Sequence, residues 1–326
     1  MRSAVFFAAV LAAVASVSFA DDAVSATAPA PAAPRSRRGL AGDAVALKTV
    51  DGWNLLAVWG AAKPGLPTVV LLHGTGQRKE DWASFTRALT SRGIGWLAVD
   101  LRGHGESRTS PAGEVLTWNK LRSTRDANDF QDMTRDAEAA VSYLTGQGVL
   151  EETIGLMGAE VGGSIAIKYA AVHPKTPFVI LLSPGLSWRE VPIVNAIRAY
   201  KNRPILMIHS EADKRSAKET PLLFQFAKLS AGVDHAALIV VPEERGTRLL
   251  RANKGLTAQV LDWIINPVPP APALSTSTAS GVAADTTTPA AQSLSPGSAP
   301  VPTSEKKKSD MDSGGFPAVP ADGDAR

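Results

Sequence analysis

The chain has 326 residues, 44% of them apolar and 20% charged, with a formal net charge of +3 and no cysteine. That length suits one large α/β domain or two small ones. The missing thiol excludes disulfides, a cysteine nucleophile and a cysteine-linked lipid anchor, and so small a charge, spread without a basic stripe of interleaved aromatics, argues against a nucleic-acid partner.

From the amino terminus, Arg2 precedes an apolar run from Ala4 to Val17, and Ser18-Phe19-Ala20 leads into Asp21-Asp22. This pattern reads as a secretory signal over residues 1–20 with a small-residue cleavage site, and it implies export to a periplasmic or extracellular compartment. The other reading of the same run is an uncleaved anchor, since its length is close to the lower limit of about 17 residues for a membrane span. No later segment is long and apolar enough to span a bilayer. Residues 21–42 form an Ala/Pro linker carrying Arg35-Ser36-Arg37-Arg38, and residues 267–326 are mostly Pro, Ala, Ser and Thr around Lys306-Lys307-Lys308. Neither stretch has the apolar content to build a core, so both are expected to be disordered spacers. The arginine cluster is either solvated linker charge or a contact to an anionic lipid or polymer.

Within residues 43–266, short apolar runs alternate with amphipathic ones. The runs predict eight strands: Ala44–Lys48, Asn54–Trp59, Pro67–Leu72, Gly95–Asp100, Thr153–Met157, Pro177–Leu182, Pro204–His209 and Ala236–Val241. Helices are expected at Asp81–Arg92, Ala127–Thr145, Val161–Val172, Glu190–Lys201, Ala217–Ala231 and Thr247–Ile264, with Phe130, Met133, Ala137, Val141 and Leu144 at helical spacing in the second. Alternation of this kind gives an α/β fold, a mostly parallel eight-stranded sheet with helices on both faces.

Between the fifth strand and the third helix lies Gly158-Ala159-Glu160-Val161-Gly162, which has the spacing of G-x-S-x-G with a glutamate in the serine's place. Three further segments accompany it: Val69-Val70-Leu71-Leu72-His73-Gly74, Asp100-Leu101-Arg102-Gly103-His104-Gly105-Glu106-Ser107, and Leu182-Ser183-Pro184-Gly185-Leu186. In this order they resemble the landmarks of the α/β-hydrolase superfamily. The resemblance is nearest to small bacterial dienelactone-hydrolase and serine-aminopeptidase-like (S33-type) members. Only about twenty residues separate the sixth and seventh strands, too few for a large cap domain.

The resemblance implies an oxyanion hole made by the backbone amides of Thr75 and Val161, with Glu160 at the nucleophile position. It puts the orienting acid after the seventh strand, at Asp213, with Glu211 a near neighbour. The catalytic histidine belongs after the eighth strand, where Glu244-Arg245-Gly246-Thr247 places Arg245. A guanidinium with a pKa above about 12 cannot take a proton from an attacking hydroxyl. Three complementary charges instead suggest an ion network in which Arg245 donates to both Asp213 and Glu160, with the Glu160 pKa lowered by Arg245 and the helix start. The competing readings are unrelated surface substitutions in a decayed site, and Asp213 as a simple helix cap.

Ser164, one turn into the helix, reads as packing, and Ser183 as a structural turn. His73, His104, His173, His209 and His235 all lie away from the base position, and neither a metal-ligand spacing nor a cofactor motif is present. Three functions remain open. One is a pseudo-hydrolase that keeps a small-molecule or partner-binding role. Another is an active ester-type hydrolase using Glu160, Asp213 and Arg245 in a non-standard way. The last is an envelope interaction module reached through flexible tails.

Overall fold

A computed structural model describes residues 39–267 of the chain. The expected leader at 1–20, the linker as far as residue 38 and the tail beyond residue 267 lie outside the described residues.

Eight strands form one sheet: β1 (Asp43–Lys48), β2 (Asn54–Gly60), β3 (Thr68–Leu72), β4 (Gly95–Val99), β5 (Ile154–Ala159), β6 (Val179–Leu182), β9 (Ile205–Ser210) and β10 (Ala236–Val241). Their order is β1-β2-β4-β3-β5-β6-β9-β10. β2 runs antiparallel to both of its neighbours, β1 and β4, and the other pairings are parallel. All residues of β3, β4, β5 and β6 are buried, which is why these strands read as unbroken apolar runs rather than alternating ones. Alternate side chains serve opposite faces. Val70 and Leu72 join a cluster with Ala137, Val141 and Leu144 of α2 (Thr134–Gly146), Ile165 of α3 (Val161–Val172) and Leu223 of a later helix. Val69 and Leu71 join the other cluster, with Phe85 and Leu89 of α1 (Ala83–Arg92). Each of the Val, Leu, Ile and Phe side chains among these, fully buried, is worth about 1.5–3 kcal/mol.

Between β6 and β9 the chain makes only a two-stranded hairpin, β7 (Ser187–Trp188) with β8 (Val191–Pro192), and the short helix α4 (Val194–Ala199). No large cap is present among the described residues. The expected helix at Glu190–Lys201 is therefore reduced to its middle six residues, Val194–Ala199. Its first residues instead turn back through Arg189 and Glu190, both at positive φ. Two other helices are also shorter or broken. The expected start at Ala127 gives way to a turn in which Asn128 Oδ1 accepts from the amides of Phe130 and Gln131, so regular helix begins only at Thr134. The stretch Thr247–Ile264 splits into α6 (Leu249–Ala252) and α7 (Leu256–Ile265). The break falls where Asn253 Nδ2 bonds the carbonyls of Glu243 and Leu249, and Gly255 takes a φ of 82°. The remaining helix, α5 (Lys214–Ser230), begins three residues earlier than expected, capped by Asp213.

The segment after β4 has structural work for nearly every polar residue. Asp100 accepts from the Lys79 amide (2.7 Å), the Lys79 ammonium (2.6 Å) and the Glu106 amide (2.9 Å), tying the loop after β3 to the end of β4. Arg102 bridges Asp136 of α2 and Asp51 of the β1–β2 turn, each at 2.6 Å, and Ser107 Oγ accepts from the Leu56 amide. The backbone at Gly105 lies against the Asp100 carboxyl, where a side chain would collide.

The turn from β5 to α3 is built as closely. A methyl on Gly158 would run into the backbone of Gly162 and Gly163. We expect Gly158→Ala to lower stability by about 1–3 kcal/mol through overpacking, read as a reduced denaturant midpoint at unchanged m-value.

Candidate functional site

Glu160 sits at the junction of β5 and α3 with φ 50° and ψ −115°, a strained conformation for a residue with a side chain. Its amide donates to Leu182 O (2.9 Å) and its carbonyl accepts from the Ser164 amide (3.1 Å), so backbone bonds hold the turn from both sides. The side chain leans over the loop that follows β3: a methyl on Gly74 would stand 2.8 Å from Glu160 Oε2 and 3.2 Å from Gln77 Oε1. Gly246, from the loop after β10, approaches the same carboxyl.

Arg245 Nε lies 3.4 Å from Glu160 Oε1. The two are unequal partners, since Glu160 is 5% exposed while the Arg245 side chain is 54% exposed. Solvent therefore weakens the pair. Glu160 occupies the N-cap of α3, yet its side chain accepts no capping hydrogen bond, and among the described residues neither the Thr75 nor the Val161 amide donates to a protein acceptor. The amide and dipole support expected for an anion at this helix start does not reach the carboxyl. Burial pushes the Glu160 pKa up, the nearby Asp213 charge adds to that, and Arg245, Arg248 and Arg189 oppose without reversing it. This corrects the expectation of a lowered pKa: desolvation outweighs the ion pair.

Asp213 departs from the expected network in a second way. Arg245 makes no ion pair with it among the described residues; Asp213 Oδ1 instead accepts from the Ser216 amide at 3.3 Å, and Oδ2 is buried with no partner. The helix-cap reading fits half of its side chain. The other oxygen is a bare acceptor beside an open cavity of about 330 Å³ that Asp213, Arg245 and Arg248 line.

The other candidates have structural partners. Ser164 is buried in α3 and its hydroxyl faces the Glu160 carbonyl at 3.5 Å. Ser183 accepts from the Gly246 amide at 2.9 Å, joining the β6 end to the Arg245 loop. His73 accepts the Leu101 amide at Nε2 (3.1 Å) and therefore donates from Nδ1 to Gly74 O (2.8 Å), a neutral tautomer consistent with a pKa lowered by burial. His104 packs 4.9 Å from the His73 ring, and burial pushes its pKa down to about 3. Among the described residues no group of His, Cys, Asp or Glu is arranged to hold a metal ion.

Two residues that bear on the Glu160 site carry no sequence signal. Gln77 accepts from the Gly74 amide (3.0 Å) and reaches toward Thr247, linking the loop after β3 to that after β10. Arg189, from the hairpin turn, acts on the Glu160 charge, although nothing in an Arg-Glu pair marks a tight turn.

The family model described as serine aminopeptidase, S33, matches residues 66–205, which run from the start of β3 to that of β9 and include the Glu160 turn. The chain has the α/β-hydrolase fold. Protein phosphatase methylesterase 1 of Schizosaccharomyces pombe is 30% identical to this chain over 223 residues, covering 66% of it and 59% of the relative. The chain thus spans about three-fifths of that protein's length. An esterase of Pyrococcus furiosus shares the fold with a TM-score of 0.54 at 19% identity, covering 68% of this chain and 91% of that one. A dienelactone hydrolase of Anabaena variabilis does so at 0.50 and 17%, over 69% and 94%.

The raised Glu160 pKa has a thermodynamic consequence. The folded state holds this proton more tightly than the unfolded chain, so stability falls as pH rises from the ordinary glutamate range through the folded pKa. Glu160→Gln removes that dependence. The variant is expected to melt above the wild type at pH 8, with the gap closing by about pH 4; a gap that grows toward acid pH contradicts the burial account.

Proposed function

We propose that this is an exported pseudo-hydrolase: an α/β-hydrolase scaffold in which Glu160 and Arg245 stand at the nucleophile and base positions and the remaining role is binding. The observation that carries this reading is the Glu160–Arg245 ion pair at 3.4 Å. Acyl transfer by this fold uses a hydroxyl nucleophile and a base that titrates near neutral pH. A carboxylate at the elbow has no hydroxyl to offer, and the guanidinium stays protonated. An acyl-glutamate formed at Glu160 would still need an activated water for release, and Asp213 has no imidazole to orient. Thr75 and Val161 keep their proposed oxyanion-hole amides, because those donors belong to the backbone. Export rests on the amino-terminal pattern of residues 1–20.

One observation favours the rival, an active ester-type hydrolase. Burial raises the Glu160 pKa, and a carboxyl shifted in that direction is better matched to proton transfer near neutral pH. Two relatives, a methylesterase and a monoacylglycerol lipase, are compatible with ester chemistry on this fold.

A panel of short activated esters separates the two. Purified wild type and Glu160→Ala are expected to show no multiple turnover, while Glu160→Ser/Arg245→His should gain at least about 100-fold over wild type, the scale of a restored general base. Wild-type turnover that disappears in Glu160→Ala makes Glu160 catalytic and removes the pseudo-hydrolase reading.

A further inference from the structure

One hydroxyl pins the loop after β9 to the loop after β10. Ser210 Oγ accepts from the Asp213 amide at 3.1 Å and donates to the Glu244 carbonyl. The Glu211 amide adds a bond to Val241 O (2.9 Å) and the Ala212 amide one to Pro242 O (3.3 Å). Further along the second loop, Asn253 Nδ2 donates to Glu243 O at 2.9 Å and the Gly246 amide donates to Ser183 Oγ. Glu244 between them has a φ of 67°, a left-handed backbone that these bonds on either side maintain. The two loops are therefore fixed walls. Between them lies the open cavity of about 330 Å³, lined by Ala212, Asp213, Glu243, Glu244, Arg245 and Arg248. That volume is at the lower end of the range of about 300–1,000 Å³ for ligand pockets, so it suits a small occupant.

Two groups on these walls have hydrogen-bonding capacity that the protein does not use. Asp213 is 8% exposed; its Oδ1 caps α5, and its Oδ2 is buried with no partner. A bare buried acceptor has the most to gain from a donor. Arg245 is the opposite case. It meets Glu160 through Nε at 3.4 Å, and among the described residues its N–H groups make no hydrogen bond to the protein. The Asp213 carboxylate and the Arg245 guanidinium share the cavity, yet they make no ion pair with each other. Of the remaining charges on the walls, Arg248 is paired with Glu244 at 2.9 Å and Glu243 is exposed to solvent.

We propose that this cavity binds a small carboxamide, whose N–H donates to Asp213 Oδ2 and whose C=O accepts from Arg245. An amide is a dipole of about 3.5 D with the N–H at its positive end. Laid between the two groups, it turns each end toward an opposite charge, supplies the missing partner of both, and adds no net charge. The alternatives each leave something unmatched. An anion offers Asp213 no donor, an ester has the carbonyl without the N–H, and an ammonium satisfies Asp213 while Arg245 stays unpaired and repels it. A zwitterion matches both ends, but it must strip water from two charges. This inference rests on the proposed binding role of the domain, and it names the ligand class and the atoms that select it.

The test is calorimetric titration of the full chain with butanamide, methyl butanoate, butanoate, butylammonium and glycine, for wild type, Asp213→Asn and Arg245→Met. Butanamide is expected to bind the wild type at least about tenfold more tightly than any other probe, the scale of one hydrogen bond to a charged group. Asp213→Asn keeps an oxygen to cap α5 and sets an NH2 where Oδ2 stands, so donor would face donor. It should lose about tenfold or more in butanamide affinity, and Arg245→Met should do the same. Asparagine caps a helix as well as aspartate does, so Asp213→Asn should melt close to the wild type, which keeps lost binding distinct from lost folding. Arg245→Met changes a half-exposed side chain and decides the matter should Asp213→Asn fail to fold. If Asp213 is a helix cap alone, Asp213→Asn binds butanamide as the wild type does and the proposal is wrong. Equal binding of amide and ester, tighter binding of a charged probe, affinity unchanged in Arg245→Met, or no binding of butanamide at millimolar concentration also overturns it. Binding is read without turnover. Ester hydrolysis by the wild type would therefore sink the pseudo-hydrolase reading and leave this one standing, while failure of the amide to bind leaves the substitutions at Glu160 and Arg245, and the inactivity argued from them, untouched.

Discussion

The backbone at Glu160 is the constraint on which the site depends. A residue at φ 50° and ψ −115° costs on the order of 1–3 kcal/mol, and it persists because its neighbours permit no other path. Gly158 and Gly162 bring β5, α3 and the end of β3 so close that side chains at either position would collide with backbone. The strain therefore comes from packing between strand and helix and is indifferent to which side chain the turn carries. A glutamate inherits a position shaped to push one residue out over the sheet edge.

That inheritance determines the electrostatics. Projected over Gly74 and covered by the loop after β10, the carboxyl is withdrawn from water without gaining amide donors. Arg245 compensates only in part, because a half-exposed guanidinium is a weak partner for a buried charge. Asp213 is left with one oxygen capping α5 and the other bare, so the two acids of the site are not joined through a shared arginine. The arrangement is asymmetric: one carboxyl is paired and desolvated, and its neighbour is only half used.

The parts of this structure legible in the sequence are those governed by burial. The inner strands β3, β4, β5, β6 and β9 could be read because residues enclosed on both faces must be apolar, and the elbow because its glycines are steric requirements. Helix limits were misread where one side chain redirects the backbone. Asn128 holds a turn that continues the helical periodicity, and Asn253 with Gly255 interrupts another. The sign of the Glu160 shift was misjudged for a different reason. Sequence places a carboxylate at a helix start, but whether amides point at it depends on a side-chain direction set by the strained turn.

Arg189 shows the limit from the other side. Its place over Trp118 and Phe130 is set by Asn128, sixty-one positions away in the chain, bonding the carbonyls of a turn whose own residues oppose that geometry. No local pattern encodes such a contact, because the local preference points elsewhere. Strain at Glu160 follows from glycines that pack the fold together and would exist around any side chain. Strain at Arg189 has no such origin, since the hairpin could use asparagine or glycine there and sit more easily. Backbone strain that the local residues would avoid is held there from across the fold by Asn128, and it ends in a guanidinium stacked on Trp118 and Phe130.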